Sequence, residues 1–254
     1  MNLYMNFNEH YQIRSIIHCW DIRFKSISII FFILVAAYSK NLLSLFFCLA
    51  ISILLVILAK IPLKSIIKIM FPLILVILFI LPVFLITSRG PVWFSLGIIP
   101  VYKQGLLMSI VISIRAISIV LSFFTLFSSE KLIILIKSWE YFKISPVLTS
   151  IFLFTYRFIF LFSESLIKLN QAASLRGLNF ARGLVHFKTT TGIFISLLIR
   201  GYEQSERTAN AMQLRGFDLN NKSKISFKSW PADYLKTSIL FFICILIIII
   251  ELTV

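Results

Sequence analysis

Five stretches of this chain carry almost no charge over a length that crosses a lipid bilayer or nearly does: Phe24–Ser39, Leu42–Ala59, Ile69–Thr87, Gly105–Phe127 and Tyr234–Ile250. A crossing helix needs about 20 apolar residues, and in hydrocarbon only helices and closed barrels satisfy their own backbone. Runs of this length select helices. The expectation is an all-α integral membrane protein with about five transmembrane helices, a single membrane domain over residues 1–254. The first run is short, and only Lys40 and Asn41 separate it from the second, so the two form a tight helical hairpin. Pro72 and Pro82 fall inside the third run, where neighbouring helices can cover the freed backbone groups. Composition agrees: 59% of residues are hydrophobic and 14% charged, against about half and about a quarter in soluble domains. The runs are too many for a cleaved signal peptide, and residues 1–21 lack the apolar core of one.

Charge decides orientation. The net charge of +15 is spread beside and between the apolar runs, which is the positive-inside pattern rather than a dense stripe for nucleic acid. Lys60, Lys64 and Lys68 put the loop between Ala59 and Ile69 on the cytoplasmic side. Ser163 to Asp233 carries ten basic residues against five acids and belongs on the same side. An even number of crossings must separate these regions, and Ile69–Thr87 with Gly105–Phe127 already supplies two. Pro146–Phe162, which is apolar but short and interrupted by Arg157, is therefore expected to be an interfacial helix. Thr189–Ile199 is expected to be covered by protein. A cytoplasmic helical platform over about residues 146–233 then lies between spans four and five, with the N-terminus cytoplasmic. Within it, Ser163–Arg176 reads as one helix, and Glu203, Glu206 and Arg207 open a second, with Glu203 and Arg207 spaced for an i,i+4 pair.

That platform says one thing twice. Ala172-Ala-Ser-Leu-Arg-Gly177 and Ala211-Met-Gln-Leu-Arg-Gly216 share A-x-x-L-R-G, four identities in six residues. Ala172, Leu175, Ala211 and Leu214 are strong helix formers. Arg176 and Arg215 suit the negative end of the macrodipole, and Gly177 and Gly216 can take the left-handed conformation that stops a helix. An Arg-Gly helix end is common on its own. Two matching ends in a chain with few charges point to a partner with two equivalent sockets.

Catalytic signatures are missing. The sequence contains no G-x-x-x-x-G-K-[ST], G-x-G-x-x-G, H-E-x-x-H or G-x-S-x-G, and the five runs contain no Asp, Glu or His. Proton-coupled carriers and intramembrane proteases ordinarily need such groups. Arg115 stands near mid-depth of the fourth run, either as an interhelical or partner contact or as a charge satisfied by backbone carbonyls. Cys19, Cys48 and Cys244 have no metal-type spacing and read as packing residues; a His10/His18/Cys19 metal site is the weaker reading.

The paired Arg-Gly helices resemble the coupling helices of the transmembrane T component of energy-coupling factor (ECF) transporters, the EcfT/CbiQ family. Ser15-Ile-Ile-His-Cys-Trp-Asp-Ile-Arg-Phe-Lys25 resembles the short basic motif before that family's first span, with Ile22 in place of the usual Pro. The resemblance covers essentially the whole chain. It implies a non-catalytic subunit of an ABC-class importer for a vitamin or transition-metal ion in the cell membrane. Its partners would be two cytoplasmic ABC ATPases, which bind the ATP, and one substrate-binding S component. Arg176 would engage one ATPase and Arg215 the other, with Gly177 and Gly216 letting the backbone turn close to them. No cofactor is expected in this chain. A stand-alone channel or secondary carrier is the alternative, and a membrane enzyme of lipid metabolism would need a catalytic constellation.

Overall fold

The computed structural model of the chain describes residues 15, 17, 20–87, 92–96, 99–175, 184–217 and 230–253. They form α1 (Ile22–Tyr38), α2 (Leu42–Leu58), α3 (Leu63–Thr87), β1 (Val92–Leu96), β2 (Ile99–Tyr102), α4 (Lys103–Ser128), α5 (Leu132–Ser138), α6 (Pro146–Leu175), α7 (Leu184–Leu214) and α8 (Pro231–Thr253). This is the all-α membrane protein that the apolar runs demand, with one small antiparallel hairpin, β1–β2, added between α3 and α4. The chain divides into two compact units: residues 1–135 with 226–254, and residues 136–225 inserted between them.

Each expected span coincides with a helix: α1, α2, α3, α4 and α8. Among the described residues, four helices are long and apolar enough to cross a membrane, namely Leu63–Phe84 within α3, Gln104–Ser128 within α4, α6 and α8; α2 is a shorter apolar helix. The four include α6, whose first half was expected to lie along the interface, and leave out α1, which was expected to span. Three expectations need correction. Helix α3 starts at Leu63 rather than Ile69, taking Lys64 and Lys68 into its first turns, because lysine is a good helix former and Pro62 precedes the start. Pro146–Phe162 and Ser163–Arg176 are not separate segments. They form one 30-residue helix to Leu175, since no Gly or Pro interrupts the chain between Val147 and Leu175. Likewise Thr189–Ile199 and the segment opened by Glu203 belong to a single 31-residue helix, α7. Both prolines of α3 are accommodated within a continuous helix.

The first unit buries many small residues between its helices and turns many of its large apolar side chains outward. Helix α4 packs against α1, α2 and α3, and α8 against α1 and α2. Ala36, Cys48, Cys244, Ser28, Ser44, Ser52, Ser118 and Ser122 are fully buried, while Phe46, Ile57 and Phe79 are exposed. That inversion suits lipid, where close approach of helix backbones replaces the hydrophobic driving force. The buried hydroxyls of α4 at three positions are satisfied within the helix: Ser118 donates to the Ile114 carbonyl, Ser122 to Ser118 and Thr125 to Leu121. Cys48 and Cys244 are buried free thiols in the core with Phe32, Leu55, Leu240 and Ile247, as packing residues should be. Cys19 lies outside the described residues.

The α1–α2 turn is held from two sides. Arg115, midway along α4, donates from Nη2 to the Ser39 carbonyl at 2.6 Å, meeting the carbonyl end of α1. Glu251, near the end of α8, accepts from the backbone N–H of Lys40 at 2.8 Å and of Asn41 at 3.3 Å, and from Ser44 Oγ at 2.5 Å. A cation at a helix C-terminus and an anion at a helix N-terminus are both favoured by the macrodipole. Arg115 is thus an interhelical contact made through a backbone carbonyl, and the two readings of it merge. Glu251 was not singled out from the sequence; its position just beyond an apolar run is the signal that could have found it.

Candidate functional site: two helix tips carrying one motif

Both copies of A-x-x-L-R-G sit on a long helix. Helix α7 ends at Leu214, the leucine of its copy, and α6 is described as far as Leu175, the leucine of the other. Arg176 and Gly177 lie outside the described residues, so the comparison of the two tips runs as far as the leucines. There it is close. Ala172 and Ala211 are exposed, the next residues are buried (Ala173) and half-buried (Met212), and Leu175 and Leu214 are each 90% exposed. A leucine side chain left that open gains nothing from the fold of its own chain.

The second tip shows how the motif stops the helix. Gly216 has φ +65°, the left-handed conformation expected of it. The Phe217 N–H bonds the Met212 carbonyl at 3.0 Å, and the Gly216 N–H bonds the Gln213 carbonyl at 3.0 Å. These are the two bonds of a Schellman cap, and they satisfy carbonyls that the end of the helix would otherwise leave open. Arg215, exposed, is the last residue before the reversal. Phe217, just past it, packs edge-on against Phe154 of α6 with ring centroids 6.4 Å apart. The tip is therefore fastened on one side by an aromatic contact and open on the side of Leu214 and Arg215.

Behind the tips, α6 and α7 cross at a glycine. Phe154, Phe158 and Phe162 stand one turn apart along α6, with ring centroids of successive pairs 6.4 and 5.7 Å apart. A Cβ built on Gly201 would lie 3.2 Å from Cζ of Phe162, so the α7 backbone approaches that ring closely. A groove of about 180 Å³ beside the crossing is lined by Leu161, Phe162, Ser165, Arg200, Glu203, Gln204 and Arg207. The expected Glu203–Arg207 pair is present at 3.5 Å, and Glu164 pairs with Lys168 at 2.8 Å. All four side chains are exposed, so solvent screens both pairs; they support helix register.

Among the described residues, no three His, Cys, Asp or Glu side chains gather where a metal could sit. His10, His18 and Cys19 lie outside the described residues. The α7 tip offers recognition chemistry: a guanidinium, an open leucine and a backbone that reverses at a glycine.

Comparison with known proteins points the same way. A family model described as "cobalt transport protein", CbiQ, matches residues 14–226. The chain is 27% identical over 230 residues to the "energy-coupling factor transporter transmembrane protein EcfT" of Streptococcus equi subsp. equi (strain 4047), covering 85% of each chain. It is 27% identical over 218 residues to the protein of that name from Bacillus subtilis (strain 168), covering 80% of this chain and 81% of the relative. A third such protein, from Staphylococcus aureus (strain 04-02981), is 27% identical over 225 residues.

Proposed function

We propose that this chain, which belongs to the CbiQ family of cobalt transport proteins, is the membrane coupling subunit of an ECF-type importer for a vitamin or transition-metal ion. In this reading two cytoplasmic ABC ATPases bind and hydrolyse the ATP, an S component binds the substrate within the membrane, and this chain joins them. The N-terminus is cytoplasmic and the membrane is that of the cell. One observation carries the reading: two long helices carry the same A-x-x-L-R-G motif, each with its leucine 90% exposed, and two equivalent tips fit two equivalent partners. Arg176 and Arg215 would each pair with a carboxylate in an ATPase groove, a charge-assisted bond that guanidinium can make with two parallel N–H donors. Leu175 and Leu214 would bury beside them. The substrate is chosen by the S component and not by this chain.

Removing one partner of a buried charge pair costs about 2–5 kcal/mol. Arg176→Ala or Arg215→Ala should therefore leave the fold intact and impair uptake, with the double variant inactive. Lysine at either position should also fall short, because it lacks the planar fork. The experiment is co-purification of the chain with two ATPases and an S component, followed by uptake in proteoliposomes. Full uptake by the double alanine variant would reject the tips as coupling sites. Uptake by the chain alone, without ATPases, would favour a stand-alone channel or secondary carrier.

A further inference from the structure

Lysine is rarely found fully buried unless paired, because an ammonium leaves water only where oxygen atoms replace its hydration. Lys25, in the first turn of α1, is such a case: its side chain is 0% exposed and that of Glu130 is 16% exposed. Its Nζ lies 3.0 Å from Glu130 Oε1 and 3.3 Å from the Ile17 carbonyl oxygen. Residues just before it reach elsewhere. Trp20 donates from Nε1 to Thr237 Oγ1 at 3.3 Å, and the Phe24 ring centroid is 4.7 Å from that of Tyr234. Asp21 caps the helix on which these groups are mounted, accepting from the Arg23 N–H at 3.1 Å.

The partners share a place in the chain. Glu130 lies between α4 and α5, just before the first unit gives way to the inserted one after Leu135. Tyr234 and Thr237 lie in the first two turns of α8, just after the chain has returned at Ser226. The six residues Trp20–Lys25 thus hold both connections through which residues 136–225 are tied to the first unit. The sequence singled out this basic motif, and nothing in the proposed docking of the tips uses it.

We infer that Trp20–Lys25 is a brace across the outgoing and returning connections of the inserted helical unit, with Lys25 and Glu130 as positioning residues. The brace fixes those connections to the amino end of α1, so that displacement of α6 and α7 passes into the membrane helices instead of being absorbed where the units join. Its consequence for transport rests on the coupling reading above; its geometry does not.

Hydrogen exchange on the purified full chain in lipid nanodiscs tests the brace. Glu130→Gln touches only the outgoing side, and Trp20→Phe loses a hydrogen bond only on the returning side. A single brace makes each variant raise exchange at least about tenfold in both residues 130–138 and residues 231–237. Loosening confined to the altered side in both variants would overturn it, leaving two unrelated contacts. If Glu130→Gln does not fold, Trp20→Phe retains the ion pair and decides alone, through residues 130–138. In the assembled transporter, Glu130→Gln should lower uptake per ATP hydrolysed at least about threefold without reducing the amount of complex recovered. Less complex at an unchanged ratio would reject the positioning role. If no ATPase assembles with the unaltered chain, the coupling reading fails while hydrogen exchange still decides the brace.

Discussion

Alanine at three glycines of α6–α7 should give three different results, because each glycine answers a different constraint. Gly192 lies inside α7 with nothing within 4 Å of a built Cβ, so alanine there meets no neighbour and relieves the helix of its most flexible residue. The gain should be about 0.5–1 kcal/mol. Gly216 also has open space around it, but its φ is +65°, where a Cβ crowds the following carbonyl at about 1–2 kcal/mol. Alanine must either bear that strain or give up the cap, releasing the Phe217–Met212 and Gly216–Gln213 bonds. Gly201 has ordinary helical geometry, but its Cβ would stand 3.2 Å from Cζ of Phe162, so that ring, stacked on Phe158, would have to shift. The helix gain there is outweighed by overpacking, which typically costs about 1–3 kcal/mol. Amide exchange along α7 in the purified chain reads all three: slower for Gly192→Ala, faster from about Thr208 to Phe217 for Gly216→Ala, faster around the crossing for Gly201→Ala. Gly216→Asn should recover much of the loss, since asparagine tolerates the left-handed region. Equal effects of alanine at 192 and 216 would refute the reasoning, because the two sites differ only in backbone conformation and place in the helix.

Glu251→Ala should lower the apparent melting temperature of the purified chain by about 4–8 °C, since losing a charged cap costs about 2 kcal/mol and a chain of this size loses about 2–4 °C per kcal/mol. Glu251→Gln, which keeps an acceptor, should lose less, and an unchanged melting point for Glu251→Ala would mean the cap is idle. Leu175→Ser and Leu214→Ser should leave the fold untouched. Each should weaken binding to the purified ATPases by about tenfold or more, as burying a leucine contributes about 1.5–3 kcal/mol; unaltered affinity would mean the open leucines face no partner.

What could be read from the chain alone was whatever depends on near neighbours. The apolar runs located α1, α2, α3, α4 and α8 because hydrocarbon leaves a chain few conformations. A-x-x-L-R-G marked where α7 ends, and its glycine foretold the left-handed residue at 216, because capping is settled within half a dozen residues. The boundary drawn at Ser163 failed for a related reason: a serine lowers apolarity but does not stop a helix, and the first glycine after Pro146 is Gly177. Lys64 and Lys68 were assigned to a loop on charge, although charge opposes burial and not helicity. Pairings between distant positions were out of reach. Lys25 and Glu130 are 105 residues apart, and Lys40 and Glu251 are 211 apart. Nothing local in either segment announces its partner.

The crossing at Gly201 and Phe162 lies thirteen residues before Leu214 in α7 and thirteen before Leu175 in α6. At about 1.5 Å per residue both leucines stand about 20 Å from the crossing. Because Phe217 rests on Phe154, in the first half of α6, the tip of α7 runs back along its neighbour while the tip of α6 extends the other way. The pair has the proportions of a balance beam with equal arms, in which a turn of about 10° at the fulcrum carries either end through about 3.5 Å, more than half a helical turn. Two identical pushes at the ends would then reach the pivot with equal leverage, and the opening at Gly201 is what lets the beams lie close enough to share it.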